Sequence, residues 1–220
     1  MTGFVLPLVV ALGALQLPAP AKPPAVEKLG DGVYRIGQLH VDTNKRELRA
    51  PATVNDVPII EFLANTKNGL KAYESALTVE SDAITFNAAL ILLGLDPARG
   101  KPSQFQFDPA APGGDPVELH LDIDGKRIRA EQLLLDQRTK KTLPIGPWVY
   151  TGSTFYDDGF GKAFLAESHG VLIGLMHGPS AIIDNPRNDA VDGYGQIVIN
   201  TGLGIRPDSK VTLIVTAIGK

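Results

Sequence analysis

The stretch Lys71–Leu95, KAYESALTVESDAITFNAALILLGL, constrains the fold more than any other part of the chain, because it joins an extended run to a strong helix signal. Ser81 or Asp82 can accept hydrogen bonds from the free amides of a helix N-terminus, and Gly94 can end the helix in a left-handed conformation. The pattern predicts a helix over about 82–93. Apolar residues on almost every side predict that this helix is covered and forms the centre of the core.

Strand signals surround this helix. The 23 glycines and 17 prolines are spread along the chain and favour strands and turns over a helical bundle. Asp124-Gly125 predicts a hairpin, and Pro51 predicts an edge strand or a bulge because it has no amide to donate. The predicted strands cover residues 33–36, 39–42, 47–54, 59–64, 71–80, 117–123, 126–135, 148–151, 171–176, 197–200 and 210–218. The fold class is therefore α+β: a β-rich single domain with an antiparallel or mixed sheet and one long buried helix.

The N-terminus has the pattern of an export signal. An apolar segment over Phe4–Leu17 precedes the small residues Ala19-Pro20-Ala21, which form a cleavage site of the signal-peptidase type. The segment is shorter than the ~20 residues that a bilayer span needs. We therefore expect an exported protein, periplasmic or extracellular, with no stable transmembrane span after cleavage. The predicted domains are a signal peptide over 1–21, a Pro-rich linker over 22–29 and a single domain over 30–220.

Composition excludes several classes of function. The formal net charge is −3, with both signs dispersed along the chain, so no basic patch for nucleic acid is present. The chain has no cysteine, which excludes disulfides, zinc–cysteine sites and cysteine-held iron–sulfur clusters. We predict no cofactor, and the expected partner is an envelope protein or a small ligand.

Glu74 and Ser75 are the first candidates for chemistry, since a carboxylate beside a hydroxyl can supply a base and a nucleophile. In a regular strand, however, neighbouring side chains point to opposite faces, and a nucleophile and its base must meet. A structural role for both residues is the alternative. Asn87, a polar residue in the apolar helix, is expected either to face Glu74 or to make a structural hydrogen bond.

Two His-x-Asp pairs are candidate metal ligands. His40 and Asp42, like His120 and Asp122, would lie on the same side of their strands and could serve a site of two histidines and one carboxylate. The same pattern arises easily by chance in a β-rich chain. We therefore predict no metal site.

A small polar site is the remaining hypothesis. Arg187 follows Asp184 and Asn185 at a turn, and it could reach Glu74 if the second half of the chain packs on the first. Trp148 could line a ligand groove beside them, although burial in the core is the usual position of a single tryptophan. The candidate binding residues are Glu74, Ser75, Trp148, Asp184, Asn185 and Arg187. The alternative is that Glu74 and Arg187 form a structural ion pair.

Several segments together resemble a known family. They are the strand KAYESAL, the helix end NAALILLGL, the segment WVYTGSTF, and the run GVLIGLMHGPSAIIDNP followed by KVTLIV. In this order they are similar to the YdjY-like family of bacterial proteins, many of them exported, from about residue 33 to the end. The resemblance implies one exported domain and no particular activity. Family members more often have histidine at the position of Tyr73, which argues against a histidine ligand or base there.

Two classes of function remain. The first is an exported, non-catalytic module that binds an envelope component or a small ligand. The second is an extracytoplasmic hydrolase or metal-dependent enzyme that uses Glu74 or His and Asp ligands. We favour the first, and we do not expect an enzyme, because no nucleophile, base and orienting group are brought together by any motif.

Overall fold

The computed structural model describes residues 25–219, so the predicted signal peptide over 1–21 and the first residues of the predicted linker lie outside the described residues. The strands are β1 (Val26–Gly30), β2 (Val33–Ile36), β3 (Leu39–Asp42), β4 (Glu47–Val54), β5 (Phe62–Thr66), β6 (Ser75–Val79), β7 (Asp115–Ile123), β8 (Lys126–Arg129), β9 (Leu134–Asp136), β10 (Lys141–Thr142), β11 (Trp148–Tyr150), β12 (Phe155–Asp157), β13 (Lys162–Phe164), β14 (Val171–Gly174), β15 (Ile183–Asp184), β16 (Ile197–Ile199) and β17 (Lys210–Ala217). The helices are α1 (Ala83–Leu92) and α2 (Leu165–His169), with 3-10 turns at Ala72–Glu74, Pro97–Arg99, Ala130–Leu133 and Thr201–Leu203. Strand β1 includes residues 26–29, which are half of the linker predicted over 22–29.

Eight strands form a closed barrel. Their order around the ring is β4, β17, β7, β11, β15, β14, β5 and β6, and β6 pairs with β4 to close it. The pairs β5–β6 and β14–β15 are parallel, and the other neighbours in the ring are antiparallel. Strands β1 to β3 extend the sheet beyond β4, and β8 pairs with β7. Closure satisfies the backbone groups that a sheet edge would otherwise expose.

Strand β4 joins the barrel to the β1–β3 extension. One edge of β4 pairs with β17 along most of its length, while the other edge pairs first with β3, up to Arg49, and then with β6 from Ala52. Pro51 lies between these two partners, and its carbonyl accepts a hydrogen bond from the amide of Glu80. Its nitrogen faces the same edge, where the partner changes and an amide donor is not needed. Pro51 is therefore accommodated inside a paired strand, in regular register with Thr212, whereas the sequence predicted an edge strand or a bulge.

The predicted α+β class is wrong, because the structure is mainly β. Strands make up 39% of it and helices 14%, and α1 is the only helix of seven or more residues in the described chain. Helix α1 nearly matches the predicted bounds of 82–93, but it lies against the barrel and is not the centre of the core. Phe86 and Leu90 are fully buried, whereas Ile84 and Ile91 are each 44% exposed. Within residues 25–219 no helix is long and apolar enough to cross a membrane.

The ends of α1 follow the sequence prediction. The Asp82 carboxylate accepts a hydrogen bond from the amide of Thr85 at 2.6 Å, and Gly94 has a positive φ of 98° after the last turn. Helix α2 adds a cap that the sequence did not predict. The Glu167 carboxylate accepts from the amides of Ala83 and Ile84 at 2.8 and 3.1 Å. The free amides of α1 are thus satisfied partly by a residue distant in the chain.

The strand predicted over 71–80 begins later than expected. Residues Ala72–Glu74 form a 3-10 turn. The Ser75 hydroxyl donates a hydrogen bond to the carbonyl of Lys71 at 2.6 Å and so links the residues on either side of this turn. Tyr73 is consequently exposed instead of lying on a strand face. The hairpin predicted at Asp124-Gly125 is confirmed, because both residues have a positive φ and join β7 to β8.

Candidate functional site

The structure separates the residues predicted to form one site. The Glu74 carboxylate accepts a hydrogen bond from Lys71 Nζ at 2.6 Å, so its ionic partner is Lys71 and not Arg187. The Ser75 side chain is buried, and its hydroxyl already donates to a backbone carbonyl. Asn87 does not face Glu74 either, since its side-chain oxygen accepts from the Tyr150 hydroxyl at 2.7 Å and ties α1 to β11. Asn87 therefore makes the structural hydrogen bond that was the alternative prediction.

Trp148 and Arg187 lie together in a structural cluster. The Trp148 side chain is fully buried, and its indole nitrogen donates to the Glu131 carboxylate at 3.0 Å. The Arg187 guanidinium carbon lies 5.6 Å from the centre of the Trp148 ring, and Nη1 donates to the carbonyl of Pro147 at 2.9 Å. Arg187 Nε also lies 3.5 Å from a carboxylate oxygen of Asp189. Trp148 is thus a core residue and does not line a ligand groove.

Asp184 is a buried carboxyl group without a cationic partner among the interactions of the described residues. Its oxygens accept from the amide of Asn185 at 2.9 Å and from that of Gly178 at a longer 3.4 Å. Burial raises the pKa of Asp184 well above its ordinary value, and these two amides only partly oppose the shift. Asn185 has a local role, because its side chain accepts from the amide of Arg187 and donates to Asp189.

The raised pKa of Asp184 predicts a pH-dependent stability. The folded state binds this proton more tightly than the unfolded chain, in which aspartate titrates near ~3.9. The corresponding stabilisation is complete below the unfolded pKa and is lost as the pH rises through the folded pKa. We expect the stability of Asp184→Asn relative to the wild type to increase as the pH is raised from 4 towards 8, by at most about 1.4 kcal/mol per pH unit. Urea unfolding at several pH values measures this difference, with the exposed Asp56→Asn as control. Parallel pH profiles of the Asp184 variant and the wild type would contradict the prediction.

A partly enclosed cavity is lined by Lys71, the ionic partner of Glu74. We call it the Glu61 pocket after the buried carboxylate that precedes its lining residue Phe62 in the chain; Glu61 itself is not a lining residue. Its volume is about 210 Å³. Phe62 comes from β5, Lys71 precedes the 3-10 turn before β6, and His169 ends α2. The remaining wall comes from residues 176–180 in the loop after β14 and from Gln106, which lies between the 3-10 turn Pro97–Arg99 and β7. The complete lining is Phe62, Lys71, Gln106, His169, Met176, His177, Gly178, Pro179 and Ser180.

His177, one of the lining residues, contains an unpartnered acceptor. Its Nδ1 lies 2.8 Å from the carbonyl oxygen of Asp108. A carbonyl can only accept, so Nδ1 carries the proton, and in the neutral ring Nε2 is left with a lone pair. The side chain is 0% exposed, and Nε2 has no hydrogen-bond partner in the described structure. A buried acceptor of this kind costs free energy unless a donor reaches it.

Glu61 directly precedes β5 and is only 7% exposed. Burial, and next the negative charge of Glu74, raise its pKa above the ordinary value. Gln106 Nε2 is 3.5 Å from one carboxylate oxygen, which is a long hydrogen bond, and the Tyr194 hydroxyl also donates to Glu61. Lys71 acts on Glu61 only through space, because its ammonium is bonded to Glu74. The Glu61 carboxylate therefore lacks a directly bonded cation.

Phe62 lines the pocket, and other aromatic residues contact its lining residues or neighbour them in the chain. Phe107 is linked to it through its amide, which donates to the carbonyl of His177 at 2.8 Å, and its ring meets Tyr194 edge to face at 4.8 Å between centroids. Phe105 and Tyr73 are more than half exposed nearby in the chain. The Lys71 ammonium lies 5.8 Å from the centre of the Phe62 ring and 5.6 Å from that of Tyr73. Rings thus face a cation on this side of the barrel.

The two His-x-Asp pairs do not form a site. They lie on the outer face of the sheet, where Arg49 donates to Asp122 at 2.8 Å and Arg127 contacts His120 Nδ1 at 3.2 Å. A larger open groove of about 560 Å³ lies near His40. Its charged side chains also pair with one another, so it does not form a site either. Among residues 25–219 no three His, Asp or Glu side chains are grouped so that they could hold a metal ion.

No motif in the sequence marks Glu61 or His177 as a site residue, although a weak signal exists. Glu61 interrupts the apolar run IIEFLA, and His177 directly follows VLIGLM. A titratable residue within or at the end of a buried run must be partnered or functional, because its desolvation is costly. Glu74, predicted as a site residue, does lie beside the pocket through its bond to Lys71.

The comparisons with known proteins identify a family. A family model described as the YdjY domain matches residues 39–198, which is well over half of the chain. This match confirms the resemblance seen in the sequence, and it includes every residue that lines the Glu61 pocket. Nothing among the curated proteins and nothing among the solved structures matches the chain.

Proposed function

The chain belongs to the YdjY domain family, and from this premise we propose that it is an exported, non-catalytic binding module whose ligand site is the Glu61 pocket. One observation carries the proposal. His177 Nε2 is a fully buried acceptor that has no donor, and it belongs to a residue that lines a cavity. A ligand that donates a hydrogen bond there would remove the cost of the unpaired acceptor.

Binding is favoured over catalysis by the state of the candidate groups. The Ser75 hydroxyl donates to a carbonyl, and Glu74 is bonded to Lys71, so neither is free to act as nucleophile or base. A hydrolase that used Glu74 would first have to break this ion pair.

The pocket is also small. Its volume of about 210 Å³ is below the roughly 300–1,000 Å³ of sites for drug-sized ligands. It suits a group of side-chain size, held by one or two directed hydrogen bonds and by contact with Phe62 and Met176. A larger ligand would have to extend out of the pocket.

Export is the part of the proposal that rests on the N-terminal sequence. The apolar segment over Phe4–Leu17 and the small residues that follow support cleavage after Ala21. The mass of the protein purified from its native host tests this. A mature chain that begins near Lys22 is expected, and an intact N-terminus would contradict export by cleavage.

The binding proposal is tested by amide chemical shifts. A panel of butylamine, butanol, butyramide, butyrate and glucose is added to the labelled protein at neutral pH. We expect at least one compound to shift the amide signals of Phe62, Lys71 and Gly178. The variant His177→Asn should weaken that binding by roughly tenfold, since the asparagine amide can replace Nδ1 as the donor to Asp108 while Nε2 is lost.

His120→Asn on the outer face is the matched control, and it should bind like the wild type. A wild-type protein in which no compound shifts the pocket signals would overturn the proposed site. Equal binding by the His177 and His120 variants would remove the observation on which the proposal rests.

A further inference from the structure

We propose that residues 102–112 form a lid that closes one side of the Glu61 pocket and opens as a unit, and that His177 is the residue that holds it closed. The purpose of such a lid rests on the proposed function, because it would control access to that pocket. The lid itself is indicated by a loop with a closed base, a tip attached through one residue, and a fixed surface against which the tip lies.

The lid is a compact surface loop whose ends meet. Lys101 and Gly113 exchange two backbone hydrogen bonds, at 2.8 and 2.9 Å, and residues 102–112 between them contain no helix or strand. Inside the loop, the Asp108 carboxylate accepts from the amides of Gln104 and Ala110, at 3.0 and 2.9 Å. A loop that is closed at its base and bonded within itself can move as one body, and loops of this kind are frequently functional.

The tip of the lid is attached through His177. The Phe107 amide donates to the carbonyl of His177 at 2.8 Å, and His177 Nδ1 donates to the carbonyl of Asp108, also at 2.8 Å. The Phe107 ring meets the ring of Tyr194, which is itself 54% exposed. Phe107 has a positive φ of 61°, which is unfavourable for a bulky residue. The closed position therefore contains strain that opening would relieve.

The surface beneath the lid is fixed. His177 lies in the loop over residues 175–182, which follows β14. The Thr151 hydroxyl donates to the carbonyl of Ala181 at 2.8 Å, and the Ser153 hydroxyl donates to that of Ser180 at 3.0 Å. These bonds satisfy buried carbonyls of the loop and tie it to the chain that follows β11. The lid is therefore the side that moves.

Opening the lid would change access to the pocket. Within 102–112, Gln106 lines the pocket, and its side chain would move away with the lid. The His177 ring is 0% exposed while the lid is closed, and its Nε2 is buried. Opening breaks the bond from His177 Nδ1 to the lid, so this movement is the step that can bring the ring within reach of a ligand.

Hydrogen exchange of the labelled wild-type protein, followed by NMR without any ligand, tests the lid. The Phe107 amide reports the tip, and the Thr151 amide, which donates to the carbonyl of Ile182 at 2.9 Å, reports the fixed surface. We expect the Phe107 amide to be at least roughly a hundredfold less protected than the Thr151 amide, because the lid opens locally. Its exchange should also change little in low urea, since local opening exposes little surface. Equal protection of the two amides would overturn the lid.

The variant Tyr194→Ala removes the ring that contacts Phe107. It should accelerate exchange of the Phe107 amide by roughly two- to tenfold, since an aromatic pair helps to hold the tip, and leave the Thr151 amide unchanged. Tyr156→Ala, which removes another partly exposed tyrosine, on β12, is the matched control and should change neither amide. The same Phe107 exchange in the two variants would overturn the proposed attachment of the tip.

The lid and the binding site can fail separately in these experiments. If the Phe107 amide exchanges locally but no compound of the shift panel reaches the pocket, the proposed function is overturned and the lid remains. If a compound binds while the Phe107 and Thr151 amides are equally protected, the lid is overturned and the binding site remains.

Discussion

Leu90→Asp is expected to abolish cooperative folding, whereas Ile91→Asp, one position further along the same helix, should leave the protein folded. Leu90 is fully buried against the barrel, so an aspartate there would place an unpaired charge in an apolar environment and cost more than about 4 kcal/mol. Ile91 is 44% exposed, and an aspartate there can remain hydrated. Its cost should be about 1 kcal/mol, from lost apolar contact and an unfavourable charge near the helix C-terminus.

Thermal unfolding followed by circular dichroism measures both effects. The sequence alone predicts that each substitution prevents folding, because the helix is apolar on almost every side. Leu90→Ala serves as a milder variant, with an expected loss of roughly 2–5 kcal/mol from the cavity it leaves. Wild-type melting of Leu90→Asp would show that α1 does not pack on the barrel as described. Equal loss of folding in both aspartate variants would show that the outer face of α1 is covered in solution.

Glu131→Ala is expected to destabilise the protein by roughly 3–5 kcal/mol, the range for removing one partner of a buried ion pair. The Glu131 carboxylate is fully buried and accepts from Arg129 at 2.9 and 3.1 Å and from the indole of Trp148 at 3.0 Å. Burial alone would raise the pKa of Glu131, but the bonds from Arg129, Trp148 and the backbone outweigh it, so the pKa is lowered. Its removal would leave the indole N–H of Trp148 unpaired and the Arg129 guanidinium with only Glu118 and the carbonyl of Gly146 as partners.

The matched control is Glu118→Ala. Glu118 contacts the same arginine, Arg129, at 3.0 Å, but its side chain is 38% exposed. An exposed ion pair contributes about 1 kcal/mol or less, so this variant should unfold close to the wild type in urea. Similar losses in the two variants would mean that burial of the Glu131 cluster does not govern its contribution.

The pH dependence gives a second test of the Glu131 cluster. A carboxyl group whose folded pKa is lowered contributes stability that is present above its unfolded pKa and is lost as the pH falls through the folded pKa. The stability difference between the wild type and Glu131→Gln should therefore shrink as the pH falls below about 4. The exposed variant Glu118→Gln should show a much smaller change over the same range.

Interactions between near neighbours could be predicted from the sequence. Asp82 caps α1 within three residues of itself, Gly94 ends it, and Asp124-Gly125 turns the β7–β8 hairpin. These features depend on side-chain oxygens and on permitted φ values, so they need no knowledge of distant contacts. The order of several apolar and polar segments was also sufficient to indicate the family, which the match over residues 39–198 confirms.

The candidate site was predictable only in part. Glu74 was identified as a carboxylate near the core, and it does lie beside the Glu61 pocket. Its assignment to Arg187 was wrong because Lys71, three residues earlier, is brought within 2.6 Å by a 3-10 turn that the alternating pattern did not predict. A pattern of alternating residues describes an extended strand and contains no information about a turn that interrupts it.

The closure of the barrel and the assembly of the pocket could be seen only in the tertiary structure. Closure depends on β6 pairing with β4, and it turns a sheet into a ring against which α1 lies. The same closure leaves Ile91 exposed and brings Phe62, Lys71 and His177 to one cavity from separate parts of the chain. The physical reason is the separation in sequence between the residues that interact. Caps and turns arise from contacts within a few residues, whereas burial and strand pairing depend on which distant part of the chain each residue contacts.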